Sequence, residues 1–254
     1  MTQLDGFDAI VHLAGESIAK GRWTASKKRK ILESRVRSTR LLAESLAKLQ
    51  RKPSSFVVAS AVGYYGDRPE EELDESSSSG EGFLADVCRQ WEASAAPARE
   101  AGIRTVHTRF GMVLSPEGGA LKPLLRVTRL GMGGPIGSGH QIWSWIEQWD
   151  AARALAHVLT TPALEGPVNI VAPNPLPQRE FAATLGRVLG RPAFMPLPAF
   201  AARLAVGQMA DELLLPSQQV RPAKLEATGF RFQFAELEPA LRDMLLSAPG
   251  RSGE

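Results

Sequence analysis

Apolar positions along the chain fall into two alternating rhythms. Short, nearly unbroken apolar runs occur at residues 9–14 (Ala-Ile-Val-His-Leu-Ala, stopped by Gly15), 55–60, 104–109 and 168–171. Runs of that length bounded by turn residues read as strands buried on both faces, the form a parallel sheet requires. Between them a 3.6-residue rhythm over 26–49 places Ile31, Val36, Leu41, Leu42, Leu46 and Leu49 on one broad face, and the pattern halts ahead of Pro53. The same rhythm over 83–101 carries Phe83, Leu84, Val87, Trp91 and Ala95 and is closed by Gly102. Further helical patterns lie at 120–130, 150–159, 178–189 and 199–215, and the acidic, turn-rich stretch 63–82 reads as one long loop.

This alternation predicts an α/β fold, a Rossmann-like doubly wound parallel sheet whose ligands sit beyond the carboxyl ends of its strands. Those ends carry residues 13–16, 60–66 and 110–114. From Pro116 onward the chain is richer in Pro and Gly, which predicts insertions and a small, mostly helical carboxy-terminal lobe. The expected division is a sheet domain over 1–172, a small substrate or cap domain over 173–247, and a disordered tail over 248–254.

Composition narrows the classes. With 44% hydrophobic and 22% charged residues the 254-residue chain is an ordinary globular protein, and a net charge of +3 implies no nucleic-acid partner. The basic run at 27–30 reads as a solvated helix face in preference to a phosphate-contacting patch. Cys88 is the only cysteine, so no internal disulfide forms and a reducing compartment, the cytoplasm, is expected. No window approaches the ~20 apolar residues of a membrane span and no leader pattern opens the chain, so no membrane partner is expected.

Four histidines, His12, His107, His140 and His157, are scattered, which excludes the usual metal-ligand spacings. Ser60 lacks the flanking glycines of a hydrolase elbow. The glycine-rich segment 131–139 follows a helix and contains Pro135, so it reads as a turn for close approach, to a ligand or to neighbouring backbone, instead of a phosphate loop. Trp143 and Trp145 alternate around Ser144 and face one way, with core filling favoured over stacking on a base.

Several motifs follow in order at a familiar spacing: 8–16 (Asp-Ala-Ile-Val-His-Leu-Ala-Gly-Glu), Ser34-Arg35, 60–66 (Ser-Ala-Val-Gly-Tyr-Tyr-Gly), Trp91-Glu92, the glycine-rich segment through Gln141, and Ser144-Trp145-Ile146. Together they resemble the epimerase-like family of atypical extended short-chain dehydrogenase/reductases, the NAD-dependent epimerase/dehydratase relatives. The resemblance covers nearly the whole chain, and the tail with Arg191-Pro192, Pro196-Leu197-Pro198 and Gly229-Phe230 is similar to their short carboxy-terminal domain.

The resemblance implies an NADP-dependent (alternatively NAD-dependent) oxidoreductase or nucleotide-sugar epimerase-like protein with a small-molecule, nucleotide-linked substrate. Family members open with a strand, a glycine-rich turn and a helix ahead of Asp8. The expectation is therefore an amino-terminally incomplete sheet, an apolar sheet edge that favours a homo-oligomer, and weak or lost dinucleotide binding. The resemblance assigns cofactor contacts to Leu13, Ala14, Arg35 and Val113. The usual Tyr-x-x-x-Lys helix corresponds to Phe83 through Val87, so both functional groups are replaced by apolar ones, a departure the family shares. The remaining candidates for proton handling are Ser60, Tyr65 and Glu16, although Ala61 stands where the usual serine falls. The alternative is a non-catalytic nucleotide-binding or regulatory protein.

Overall fold

The computed structural model describes residues 4–246. In chain order it forms β1 (Ala9–His12), α1 (Ala25–Ala47), β2 (Ser55–Ala61), a 3₁₀ turn at Val62–Tyr65, β3 (Arg68–Leu73), α2 (Phe83–Ala93), α3 (Ala96–Glu100), β4 (Arg104–Phe110) and β5 (Met112–Leu114). The chain continues through α4 (Leu121–Arg129), β6 (Ile142–Trp143), β7 (Trp145–Glu147), α5 (Gln148–Thr160), β8 (Gly166–Ile170) and β9 (Leu176–Pro177). It ends with α6 (Gln178–Leu189), α7 (Ala199–Val206), a π turn at Ala210–Leu214, β10 (Gln218–Val220), α8 (Ala223–Ala227) and α9 (Leu237–Leu246).

The main sheet runs β1-β2-β4-β8, all parallel, as the sequence predicts. Alternation along each strand sends side chains to two helical layers. Phe56 and Val58 pack with Ala43 and Leu46 of α1, Trp91 of α2 and Ala98 of α3. Val57, Val106, Val168 and Ile170 face α5 and α8 through Ala151, Ala154, Val158 and Leu225. β1 is the edge strand, and Val11 (40%) and Leu13 (52%) are exposed there.

The second core belongs to the lobe. Trp143 and Trp145 both enter it with Leu114, Phe181, Leu185 and Leu241, and Trp143 meets Phe181 edge-on at 5.4 Å. Their alternation therefore fills a core, which at ~25 cal/mol per Å² and ~200 Å² stabilises by roughly 5 kcal/mol for the fully buried Trp145. The glycine-rich segment lies beside 195–197: Met195 N donates to Gly133 O at 3.0 Å and Leu197 N to Pro135 O at 2.8 Å. A Cβ on Gly134 would stand 2.1 Å from Met195 O, so the close approach there serves neighbouring backbone.

Four sequence expectations are corrected. The first strand, read as buried on both faces, is the half-exposed edge strand and ends at His12, two residues early. The single helix over 83–101 is two, because Pro97 lacks an N–H and crowds the preceding turn. The helix over 199–215 stops at Val206, where Gly207 turns out with φ 65°. The loop over 63–82 contains β3, which pairs in parallel with β10 from the far end of the chain. The expected tail at 248–254 lies outside the described residues.

Candidate functional site

Two groups of polar side chains stand at the carboxyl ends of the sheet. The first is built where the chain leaves β1. Thr24 caps α1 by accepting from Lys27 N, which fixes that helix beside the strand end. From α1, Ser34 Oγ accepts from Glu16 N at 2.9 Å, while Arg35 Nη1 donates to Glu16 O at 2.9 Å and to Ile31 O at 3.1 Å. A Cβ on Gly15 would come within 3.0 Å of the Arg35 guanidinium carbon, so glycine lets the cation tuck under the strand end. Arg35 also lies over the Trp91 ring at 5.0 Å, and burial draws its pKa down.

Glu16 accepts a hydrogen bond from Lys27 Nζ at 2.5 Å, and that bond and charge hold its carboxyl below the usual range. Leu13 and Ala14 are exposed between these anchors. Leu13, Ala14, Glu16 and Arg35 thus gather at one strand end. Val113 sits half-buried on β5, which follows β4, with β2 lying between β4 and β1.

The second group is a buried network across the row Ser60, Arg109 and Asn169, which face each other on β2, β4 and β8. Ser60 Oγ donates to Glu92 Oε1 at 2.7 Å, and Arg109 grips the same carboxylate twice, Nε to Oε1 at 2.8 Å and Nη2 to Oε2 at 2.9 Å. Arg109 Nη1 donates to the Tyr65 hydroxyl at 3.0 Å, and that hydroxyl donates to Asn169 Oδ1 at 2.8 Å. The guanidinium also stacks 3.5 Å over the Tyr64 ring. Burial pushes the Tyr65 phenol up to about 12, against the opposing pull of Arg109 and Asn169. For Arg109 burial pulls downward, but Glu92 and then Tyr65 hold its pKa above the ordinary value.

Ser60 and Tyr65 therefore share one network through the Glu92–Arg109 pair, while Glu16 stands apart on Lys27. At neutral pH Tyr65 keeps its proton and Glu16 is ionised. Glu92, Arg109 and Asn169 were not among the sequence candidates. Their signal was a carboxylate on the apolar stripe of α2, with Cys88 and Trp91, and an arginine at a helix-facing strand position. Phe83 opens α2 with its ring edge-on to Trp23 at 5.3 Å, and Val87 is buried, so both side chains are packed apolar groups. The lobe closes on that helix end: Glu212 accepts from Phe83 N and Leu84 N, each at 3.0 Å. Among the described residues no group of three or more His, Cys, Asp or Glu is placed to hold a metal.

A parallel sheet wound on both faces, with polar groups at its carboxyl ends and a helical lobe closing over them, defines a Rossmann-type protein of the extended short-chain dehydrogenase class. The chain belongs to the NAD dependent epimerase/dehydratase family, which matches residues 1–171. A domain of unknown function, DUF1731, matches 197–244. An epimerase family protein of Mycobacterium bovis is 40% identical over 238 residues, 94% of this chain and 78% of the relative. The Bacillus subtilis epimerase family protein YfhF is 38% identical over 244 residues, 96% of this chain and 80% of the relative. The human epimerase family protein SDR39U1 (isoform 2), solved with NADPH, superposes with a TM-score of 0.90 at 39% identity, covering 95% of this chain and 82% of that one. A Thermus thermophilus UDP-glucose 4-epimerase solved with NAD, at 18% identity, TM-score 0.73 and coverage of 93% and 76%, shares the fold alone.

Proposed function

We propose that this chain binds a nicotinamide dinucleotide, NADP(H) ahead of NAD(H), and acts as an oxidoreductase or epimerase-like protein on a small, nucleotide-linked molecule. The observation that carries this reading is the end of β1, where residues 13 and 14 are exposed and the Arg35 guanidinium tucks into the space Gly15 leaves, which makes a cationic strand end. That is the chemistry a ribose and phosphate require. The NADPH held by the human relative supports the preference for the phosphorylated cofactor.

A bound nicotinamide would supply hydride exchange. Leu13, Ala14 and Val113 would line it and Arg35 would offer the charge. Proton handling falls to Tyr65, which holds its proton beside Arg109, to Ser60, and to Glu16 as the ionised acceptor. In this reading residues 1–172 carry the cofactor and 173–247 cover the substrate. The β1 edge is the surface for a homo-oligomer. A lone, buried Cys88 supports a reducing compartment, the cytoplasm; among the described residues no helix is long and apolar enough to cross a membrane.

A second reading is favoured by Phe83 and Val87, which fill the usual proton-transfer positions: a nucleotide-binding regulatory protein without turnover. Cofactor oxidation followed across a panel of carbonyl compounds and sugar nucleotides separates the two. The enzyme reading expects turnover lowered at least tenfold by Tyr65→Phe, Ser60→Ala or Glu16→Gln. Cofactor binding with no turnover on any substrate sinks it in favour of the regulatory one.

A further inference from the structure

Helix α7 has the sequence Ala-Phe-Ala-Ala-Arg-Leu-Ala-Val, yet Ala202 is its only buried residue. Phe200 and Leu204 stand one turn apart and are 72% and 75% exposed. The segment leading into α7 continues this surface, with Phe194 77% exposed and Met195 beside it. Backbone pairing holds that segment against 133–137, and Pro192 lies 3.6 Å from where a Cβ on Gly131 would be, so exposed Leu130 and Met132 adjoin it. These six side chains are 48–77% exposed, and apolar groups gathered on a surface in this way mark an interaction site.

Carboxylates and cations both border the patch, and the charges left without an ion pair at its α4 end are cationic. At one end stand Arg126 and Arg129 of the last turn of α4, and Arg191; among the described residues none of the three forms an ion pair. At the other end Arg22 donates to Leu204 O and Lys28 to Gln208, which brings the basic run at 27–30 beside α7. The neighbouring carboxylates are already engaged, Asp211 with Arg203, Glu16 with Lys27, and Glu212 with the α2 amides. A second copy would bring like charges together. The 195 and 197 amides are spent on 133–137, so that edge does not offer them to a protein partner for strand addition.

We propose that this face docks the protein peripherally on an anionic lipid bilayer, with Phe194, Met195, Phe200 and Leu204 entering the headgroup boundary and the two cationic ends resting on lipid phosphates. An interfacial short helix flanked by arginines has the chemistry for this, and no membrane span is involved. Arg22 and Lys28 form one of those ends.

The test is flotation of the full chain with phosphatidylglycerol vesicles and with phosphatidylcholine vesicles. The expected result is flotation with phosphatidylglycerol alone, released by salt. Arg126→Ala with Arg129→Ala should weaken partitioning about thirtyfold, and Phe200→Ser with Leu204→Ser should abolish it. These side chains are exposed, so circular dichroism should show folded variants; the arginine pair carries the test if the serine pair is not. Flotation with neither lipid, or with both equally, overturns the proposal. So does a dimer in sedimentation equilibrium that the serine pair converts to monomer, because a second copy would then cover this face. A dimer through the β1 edge would be unaffected by those changes.

Discussion

Replacing Glu92 by Gln probes the network that joins Ser60 to Tyr65. The Arg109 side chain is 3% exposed and that of Glu92 13%, so the pair is close to fully desolvated. Removing one charge from such a pair costs about 3–5 kcal/mol, because the remaining ion is left buried without its counter-charge. Glutamine keeps the volume and one oxygen that can accept from Arg109 or Ser60, and Arg109 retains Tyr65 and the Tyr64 ring. We therefore expect the low end, about 3 kcal/mol. At about 2–4 °C per kcal/mol for a chain of this size, thermal unfolding should fall by roughly 6–12 °C.

Calorimetry or circular dichroism melting measures the shift, and a double-mutant cycle isolates its cause. Arg109→Met removes the other charge, so Glu92→Gln with Arg109→Met should be less destabilised than the sum of the singles by about 2 kcal/mol. A Glu92→Gln shift below about 2 °C, or strict additivity, would refute the claim that charge pairing holds this row of the sheet together.

Two further outcomes follow from the structure. Tyr65 has its folded pKa raised to about 12 from 10.0, so the native state holds the proton more tightly and its contribution to stability is lost as pH rises from 10 toward 12. That loss should be about 2–3 kcal/mol in the wild type relative to Tyr65→Phe in denaturant titrations, and parallel pH profiles would contradict it. Gly134→Ala should destabilise by about 2–3 kcal/mol, since its Cβ would meet Met195 O at 2.1 Å, whereas Gly118→Ala, with open space around it, should be nearly neutral in the same melts.

Most of the sheet was legible in the sequence because β2 and β4 are buried on both faces and α1 and α6 carry uninterrupted stripes; these four elements fall within two residues of expectation. β3 was not, because Arg-Pro-Glu-Glu-Glu-Leu shows neither an apolar run nor alternation and its partner β10 lies about 150 residues away. Its strand character comes from tertiary pairing, which overrides local propensity. The strand-end group was legible because glycine and arginine at 15 and 35 fit a recurring motif. The buried network was only half so. Ser60 and Tyr65 stood in the 60–66 motif and Glu92 beside Trp91 in another, but only strand and helix register brings Glu92 and Arg109 together. Glu212 was invisible for the same reason, reaching α2 from 128 residues away.

The central claim is that the end of β1, with Arg35 beneath it, is a nicotinamide dinucleotide site. Isothermal titration of the chain with NADPH and with NADH addresses it directly. The account predicts saturable one-to-one binding, NADPH the tighter of the two, weakened about tenfold by Arg35→Ala through loss of a charge-assisted contact. Absence of binding by either cofactor, or an affinity indifferent to Arg35, would contradict it.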